Sequence, residues 1–425
     1  MDLSRREFLR SSAIASVASI AGAGVALPAG RSPQAFFGLH PFIEKNPKAV
    51  FIRRTHVPEK MDEASKLKEG LTLARQIFVP LPNAGVPVTH RVVLKPNQTS
   101  VRNRRPAVEN WGTGTDPQFY EGMVMGLKEL GLKKFNFVEA NSFNAWNLRG
   151  FVDINERHGV EMNECDRRPR HFREGYEMTW TKVPDAVVYS QIPHYAPVNE
   201  PDTWLLNISK WKAHGMCLTL SVKNEQGLTV KPFVAYCPGW QMVTGVPDFM
   251  KPYINPRAET QVKEFFERHV KMGYSRYDSP APLGPINQEI WAHKTCDNMS
   301  ALKTGLAMIE GIYGRDGDGF GSGKDYLTNL VMFSKDKFRL DVIGTYLGGH
   351  EPGNVHLFRI AKERGLSDTF NPWEIPVYEW TDDGPVERKL ASFERTPLVT
   401  YYLQKKGEPR FHLVNEPFDY DRNKV

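Results

Sequence analysis

Short apolar segments alternate with segments of helical periodicity along residues 49–158. The strand-like segments are 49–52, 91–94 and 135–139. The helix-like segments are 59–78, 116–130 and 147–158. Alternation of this kind is typical of a parallel sheet that helices cover on both faces. We therefore expect an α/β fold with a mostly parallel mixed sheet, helices on both faces and an irregular insertion.

The second half of the chain continues the pattern. Further strands are expected at 186–189, 204–208, 306–312 and 329–333, and further helices at 257–272, 286–303, 337–347 and 355–364. Residues 228–255 are rich in Pro, Gly and aromatic residues without periodicity, so they predict an irregular insertion that extends to about residue 303. The predicted organisation is a signal peptide and linker (1–35, with extended chain over 28–48), an α/β domain (49–350) and a C-terminal extension packed on it (351–425).

The N-terminal segment Ser4–Arg10, SRREFLR, fits the twin-arginine export pattern. Residues 11–27 form a weakly apolar run that is too short and too rich in Ala, Ser and Gly for a stable membrane span. Cleavage is expected after Ala26 or Ala35; a basic helix or an uncleaved anchor are the alternatives. The segment predicts the twin-arginine (Tat) export machinery as a partner and the periplasm as the location.

The charge of the chain excludes some partners. The net charge is only +6, and the 55 Lys and Arg residues are scattered, which disfavours nucleic acid and favours an anionic small molecule. The four cysteines contain no CxxC pair, so we expect no iron–sulfur cluster. Disulfides and buried free thiols both remain open for Cys165, Cys217, Cys237 and Cys296.

The segment Leu205–Gly227 begins as a buried strand and then places charged residues at its end. If the strand continues, Lys210, Lys212 and His214 share one face. Clustered cations lower one another's pKa, which would make a lysine or histidine usable as a base near neutral pH. A solvated edge strand with alternating lysines is the other interpretation.

Other polar residues also follow predicted strands, where ligands of open α/β sheets bind. Lys95 and Asn97 follow one strand, although Lys-Pro-Asn is also common in turns. Glu139 and Glu310 lie at the ends of two others. Asp341 lies among apolar residues of a predicted helix, where it is either exposed or needs a partner.

The familiar catalytic motifs are absent from the sequence. It contains no Gly-x-Ser-x-Gly, no HExxH and no GxGxxG after a strand. The glycine-rich segment Gly314–Gly323 lacks the Lys-Ser/Thr pair of a phosphate-binding P-loop and the terminal Glu of a calcium loop. It is either an ordinary surface loop or a loop whose backbone amides line a site.

In this order, five segments resemble the domain of unknown function 362 family. They are VVLKPN at 92–97, FVEA at 137–140, the segment 205–227, IEGIYGRDGDGFGSG at 309–323 and DVIGTYLGG at 341–349. The resemblance implies an α/β domain with a single site. The residues that it places near this site are Lys95, Asn97, Glu139, Lys212, His214, Lys223, Asn224, Glu310 and Asp341. The ferredoxin-like cysteine cluster of some members is missing here.

These observations lead to one functional expectation. The protein is expected to be an exported enzyme that acts on an anionic small molecule by proton transfer or redox chemistry. Lys95, Lys212 and Lys223 would hold the anion, and His214 would be the acid or base. Glu310 or Asp341 would orient His214, or bind a divalent metal ion if one is the cofactor. The alternative is a non-catalytic periplasmic binding or redox-maturation protein.

Overall fold

Ten of the described strands form one mixed β-sheet, and helices pack on both of its faces. The structure is a computed structural model that describes residues 35–99, 112–140, 143–164, 177–230, 248–279 and 284–421, with Phe233 and Val246. The twin-arginine segment, Cys165, Cys237 and most of residues 231–247 lie outside the described residues. Within this described part, no helix combines the length and apolar character needed to cross a membrane.

The element boundaries agree closely with the predicted alternation in the first half of the chain. The strands are β1 Phe36–Leu39, β2 Val50–Arg54, β3 Phe78–Leu81, β4 Val86–Pro87, β5 Arg91–Pro96, β6 Lys134–Glu139, β7 Glu161–Glu164, β8 Met178–Lys182, β9 Gln191–Tyr195, β10 Thr203–His214, β11 Cys217–Thr219, β12 Leu306–Arg315, β13 Asp325–Ser334, β14 Val377–Thr381 and β15 Gly384–Glu387. The helices are α1 Pro41–Lys45, α2 Glu63–Ile77, α3 Pro117–Glu129, α4 Phe143–Leu148, α5 Phe151–His158, α6 Ser221–Asn224, α7 Ala258–Lys271, α8 Pro285–Ser300, α9 Lys337–Leu347 and α10 His356–Glu363.

The large sheet runs in the order β15, β14, β2, β13, β12, β10, β5, β6, β7, and β11 pairs with the end of β10. From β12 to β7 the five neighbouring strands are parallel. Beyond β12, strands β13 and β2 pair antiparallel, and β14 returns to a parallel pairing with β2. The expected fold class, a mostly parallel mixed α/β sheet, is confirmed.

Strand β10 lies at the centre of this sheet and faces a different helical layer with each successive residue. Leu206 and Ile208 pack in the apolar cluster that includes α2 and α3. Trp211 and Ala213 pack in the cluster that includes α9, and the Trp211 indole donates to the Gly344 carbonyl at 2.9 Å. Strand β10 continues to His214 and is buried from Leu205 onward, so the alternative of a solvated edge strand is wrong.

Helix α3 begins as the sequence predicts. The Asp116 carboxylate accepts hydrogen bonds from the backbone N–H groups of Gln118 (2.9 Å) and Phe119 (3.3 Å). Pro117 occupies the first turn, where backbone N–H groups have no acceptor within the helix. The missing N–H of proline therefore costs no hydrogen bond there. Gly131, beyond the helix end, has a φ of +90° that an L side chain would disfavour. These local rules set the position of the helix that covers the site-forming strands.

Three sequence-based expectations were wrong. The helix expected over 147–158 is two helices, because Gly150 adopts a φ of +82° between them. The strand expected at 186–189 does not form, because the backbone N–H groups of 187–189 donate to the Asp297 carboxylate at 2.7–3.1 Å. Part of the extended linker expected over 28–48 is instead strand β1 and helix α1.

The C-terminal residues join the sheet and reach the site. Strand β14 pairs with β2, and β15 completes that edge. The Thr400 hydroxyl donates to the His214 carbonyl at 2.7 Å. The Gly317 amide donates to the Val399 carbonyl at 2.8 Å. Residues 399–400 therefore fix the end of β10 and the glycine-rich segment in place.

A buried charged cluster joins helices α7, α8 and α10. His269 lies between Glu289 (Nδ1 to Oε2, 3.0 Å) and Glu363 (Nε2 to Oε2, 2.9 Å). Burial opposes its protonation, but the two carboxylates outweigh burial and raise the pKa of His269. Burial would also raise the pKa of Glu289, yet hydrogen bonds from His269 and His293 lower it to about 2. The cluster is therefore an ion network in the folded state.

This cluster predicts a pH dependence of stability. A histidine whose folded pKa is raised contributes stability that is fully present below its unfolded pKa of about 6.5 and lost as pH rises through the folded value. We expect the free energy of unfolding, measured with urea, to decrease from pH 6 to pH 9. The decrease should be smaller in His269→Gln, and an equal decrease in both proteins would contradict the assignment.

Candidate functional site

Four of the predicted site residues form one hydrogen-bonded network at the carboxyl ends of β5 and β6. Lys95 forms an ion pair with Glu139 and donates to Asn224 Oδ1 at 3.0 Å. The Asn97 amide nitrogen donates to the same Asn224 oxygen at 2.9 Å. Burial lowers the pKa of Lys95 and raises that of Glu139, against the attraction between their charges. The structure thus brings together Lys95, Asn97, Glu139 and Asn224.

Two amide side chains beside this network have hydrogen-bonding atoms without a partner among the described residues. Asn97 Oδ1 and both polar atoms of the Gln98 side chain are buried and unbonded within that part of the chain. Leaving such a group unsatisfied costs about 1–3 kcal/mol, so native structures usually supply a partner. Residues Asn97 and Gln98 therefore present acceptor and donor capacity that a ligand can use. Gln98 directly follows the Lys-Pro-Asn motif, but no pattern in the sequence distinguishes it as a site residue.

Lys210 and Glu310 form a buried pair deeper in the sheet. Lys210 Nζ lies 2.7 Å from Glu310 Oε2, and both side chains are at most 1% exposed. The Glu310 carboxylate also accepts hydrogen bonds from the backbone N–H groups of Asp116 and Ile312, both at 2.9 Å. Glu310 is therefore not bonded to His214, and the expected orienting role finds no contact in the described structure.

Lys212, two residues further along β10, has a different environment. Its Nζ donates to the carbonyl oxygens of Thr113 (2.9 Å) and Gly319 (3.3 Å), and no carboxylate in the described part of the chain pairs with it. The residue is 1% exposed. Burial, together with the charges of Lys223, Arg149 and Arg315, holds the pKa of Lys212 well below its usual range. These surroundings thus shift the protonation equilibrium of the Lys212 amine toward its neutral form.

His214 lies at the end of the same strand and is also buried. Burial, with the charges of Lys223 and Lys212, holds the pKa of His214 well below its usual range. Its Nδ1 accepts a hydrogen bond from the Met216 amide at 3.3 Å, so the ring proton resides on Nε2. The Trp291 ring packs edge-on against the imidazole, with centroids 5.0 Å apart. His214 therefore offers an N–H donor held in a fixed orientation.

The glycine-rich segment covers these two residues. Phe320 places its ring centroid 4.5 Å from Lys212 Nζ and 6.1 Å from the centroid of the His214 ring. Gly319 has a φ of +73°, and a Cβ there would lie 1.9 Å from the Ala213 carbonyl oxygen. Asp318 accepts from the amides of Phe320 and Ser322 at 2.7 and 2.9 Å. Hydrogen bonds and a required glycine therefore hold this segment in a defined loop conformation, and the loop lines the site.

Helix α6 carries Lys223 and Asn224, and Asp341 holds its first turn. The Asp341 carboxylate accepts from the amides of Ser221 (2.8 Å) and Val222 (2.9 Å) and from the Ser221 hydroxyl (2.5 Å). Burial raises the pKa of Asp341 to about 7. Of the two interpretations of Asp341, exposed or buried with a partner, the second is therefore correct. Asp341 positions α6, and in the described structure it does not contact His214.

Lys223 is the most accessible cation of the group. It is partly buried and has no ion-pair partner among the described residues. Its charge lowers the pKa values of Lys95, Lys212 and His214, so it lies close enough to all three to act on them. Lys223 is therefore the side chain best placed to meet an incoming anion.

Arg149 is a site residue that sequence reasoning missed. It is 3% exposed and donates to the Thr99 carbonyl (3.1 Å) and to the hydroxyls of Thr99 and Thr113 (both 2.7 Å). It therefore links the loop after β5 to the loop that contacts Lys212. Arg149 follows a short helix, not a strand, and its partners are 36–50 residues away, so no local pattern marks it.

We name the residues of this region the cleft cluster. They are Lys95, Asn97, Gln98, Glu139, Arg149, Lys212, His214, Lys223 and Asn224. Four of them carry basic side chains besides His214, and the single carboxylate is already paired with Lys95. The cluster can therefore attract an anion, present unbonded amides to it and supply two neutral nitrogen groups. Across the described residues, no three His, Cys, Asp or Glu side chains are grouped to hold a metal ion.

Comparison with known protein families places this region in one domain. The family model described as Domain of unknown function (DUF362) matches residues 92–346, which is more than half of the chain. The chain belongs to the DUF362 family. The match extends from β5 to α9 and contains the whole cleft cluster. Searches of curated proteins and of solved structures found no match.

Proposed function

We propose that this DUF362 protein is an enzyme that binds an anionic small molecule in the cleft cluster and transfers a proton there. The observation that carries the proposal is Lys212, a buried lysine without a carboxylate partner in the described structure. Burying a lysine in this way disfavours its charged form, and such shifted groups are concentrated at functional sites. The adjacent unbonded amides of Asn97 and Gln98 support the same location.

The proposed roles follow from the contacts of each residue. Lys223 would meet the anion directly, while Arg149 and the Lys95–Glu139 pair would shape the positive potential around it. Lys212 would be the base, since a neutral amine has a free electron pair. His214 would donate a hydrogen bond from Nε2 and so polarise the bound molecule. A basic amine beside such a donor favours removal of a proton over a redox step.

Neither Glu310 nor Asp341 takes part directly in this scheme. Glu310 balances Lys210, and Asp341 caps the helix that carries Lys223. Their effects on activity would therefore act through the positions of other residues. A non-catalytic binding protein would use the same anion site, and it would bind the anion without chemical conversion.

The anion site can be tested by calorimetric titration with oxalate and with inorganic phosphate. We expect at least one of them to bind, and Lys223→Met to weaken binding about tenfold or more, because a hydrogen bond to a charged group contributes about 1.5–3 kcal/mol. The matched control is Lys271→Met, which removes an exposed lysine from helix α7. If neither anion binds, or if both variants bind equally, the site assignment is wrong.

We also propose that the protein is exported by the twin-arginine pathway to the periplasm. The support is the segment SRREFLR at 4–10 with the weakly apolar run that follows it. Replacing Arg5 and Arg6 with Lys keeps the charge and should leave the protein in the cytoplasmic fraction. Cell fractionation with an antibody measures this, and export of the double variant at the unaltered rate would contradict the proposal.

A further inference from the structure

Lys210 and Lys212 occupy the same face of one strand, but only one of them has a charge partner. Lys210 is neutralised by Glu310, as a buried lysine in a structural role requires. Lys212 instead donates to two backbone carbonyl oxygens and, in the described structure, pairs with no carboxylate. A purely structural role does not explain why Lys212 is buried without a charge partner in the described structure. The difference between the two lysines therefore points to a chemical role for Lys212.

The contacts of Lys212 fit a neutral amine. A neutral amine has two N–H hydrogens and one electron pair. The carbonyl oxygens of Thr113 and Gly319 account for both hydrogens, so the electron pair is the one feature without a partner among the described residues. The Phe320 ring favours the charged form through its π face, but burial and three nearby cations oppose it. A lysine that is desolvated next to other cations is a typical nucleophile toward carbonyl carbon.

The surroundings define what kind of carbonyl compound would enter. Lys223 and Arg149 supply positive charge for a carboxylate or phosphate group. Asn97 and Gln98 supply unbonded amide groups for a polar substituent. His214 supplies an N–H that can donate a hydrogen bond to the carbonyl oxygen and polarise it.

From this arrangement we infer that Lys212 forms an imine with the carbonyl carbon of an anionic oxo compound, such as a 2-oxo acid. This inference rests on the proposed anion site and names the substrate class of that site. The Lys212 nitrogen attacks the carbonyl carbon and forms the C–N bond. The carbonyl oxygen leaves as water, taking the two hydrogens of the amine, while the His214 Nε2–H donates a hydrogen bond to that oxygen. The step needs no oxidant or reductant.

Glyoxylate with cyanoborohydride tests the inference in the full-length protein. Glyoxylate carries a carboxylate and an aldehyde, and the reductant converts the imine to a stable secondary amine. At pH 6.5 an exposed lysine is almost fully protonated. We expect Lys212 to be labelled at least about tenfold faster than the exposed Lys271, with the rates measured by peptide mass mapping.

Two controls make the result specific. Lys212→Met should lose the fast label and retain the slow labelling of Lys271. Oxalate cannot form an imine, so it should slow the labelling of Lys212 by occupying the same site. Labelling of Lys212 no faster than Lys271, or unaffected by bound oxalate, would overturn the imine. If oxalate binds and Lys212 remains unlabelled, the inference fails while the anion site stands; if oxalate does not bind and Lys212 is unlabelled, both fail.

Discussion

Lys210→Met should decrease the free energy of unfolding by about 3–5 kcal/mol, the typical cost of removing one partner of a buried ion pair. The reason is Glu310, which would remain in the interior with its charge uncompensated; its side chain is 0% exposed. Two backbone amides still donate to it, but they do not supply a positive charge. Urea denaturation followed by circular dichroism measures the change.

The double variant Lys210→Met, Glu310→Leu is the control for this prediction. Replacing both partners of a buried pair with apolar residues is often neutral, so most of the lost stability should return. The amides of Asp116 and Ile312 would then lose their acceptor, which limits the recovery. If Lys210→Met were as stable as the unaltered protein, the result would show that Lys210 and Glu310 are not a charged pair in the folded state.

Lys212→Met, two residues further along the same strand, should impair function more than it impairs stability. We expect the free energy of unfolding to decrease by about 1–3 kcal/mol, because the Gly319 carbonyl oxygen loses this donor but no carboxylate is left unpaired in the described structure. Fast labelling by glyoxylate should be lost, while oxalate binding should change little, because both hydrogens of the neutral amine already donate to backbone carbonyl oxygens. Urea unfolding, peptide mass mapping and calorimetry measure these quantities.

Comparing the two variants tests whether Lys210 has a structural role and Lys212 a functional one. Both variants replace a lysine on one strand face with the same unbranched apolar side chain. If Lys212→Met unfolds the protein as readily as Lys210→Met, then Lys212 is structural. If fast glyoxylate labelling persists without Lys212, another residue forms the imine. Either result would contradict the roles proposed for these two lysines.

The sequence predicted the elements whose rules are local. The N-cap Asp116, the first-turn Pro117 and the terminal Gly131 placed helix α3 correctly. The position of Lys95, Asn97 and Glu139 after strands predicted that they would meet, because the carboxyl ends of parallel strands lie at one edge of a sheet. Local chemistry and strand direction were sufficient for this part of the site.

Contacts between distant segments could not be predicted in the same way. The sequence alone does not show which of Lys210 and Lys212 is paired, because Glu310 lies 100 residues from its partner. Similarly, residues 187–189 have the composition of a strand, but their amides bind Asp297, more than 100 residues away. The tertiary contact outweighs the local preference in both cases.

Anomalous diffraction from crystals of the protein soaked in selenate would test the anion site most directly. We expect a selenium peak in the cleft cluster, with a selenate oxygen about 3 Å from the Nζ atom of Lys223. The peak should disappear from the cleft in Lys223→Met crystals while surface peaks remain. A cleft without selenate, in crystals whose surface sites are occupied, would contradict the proposal that the cleft cluster binds an anion.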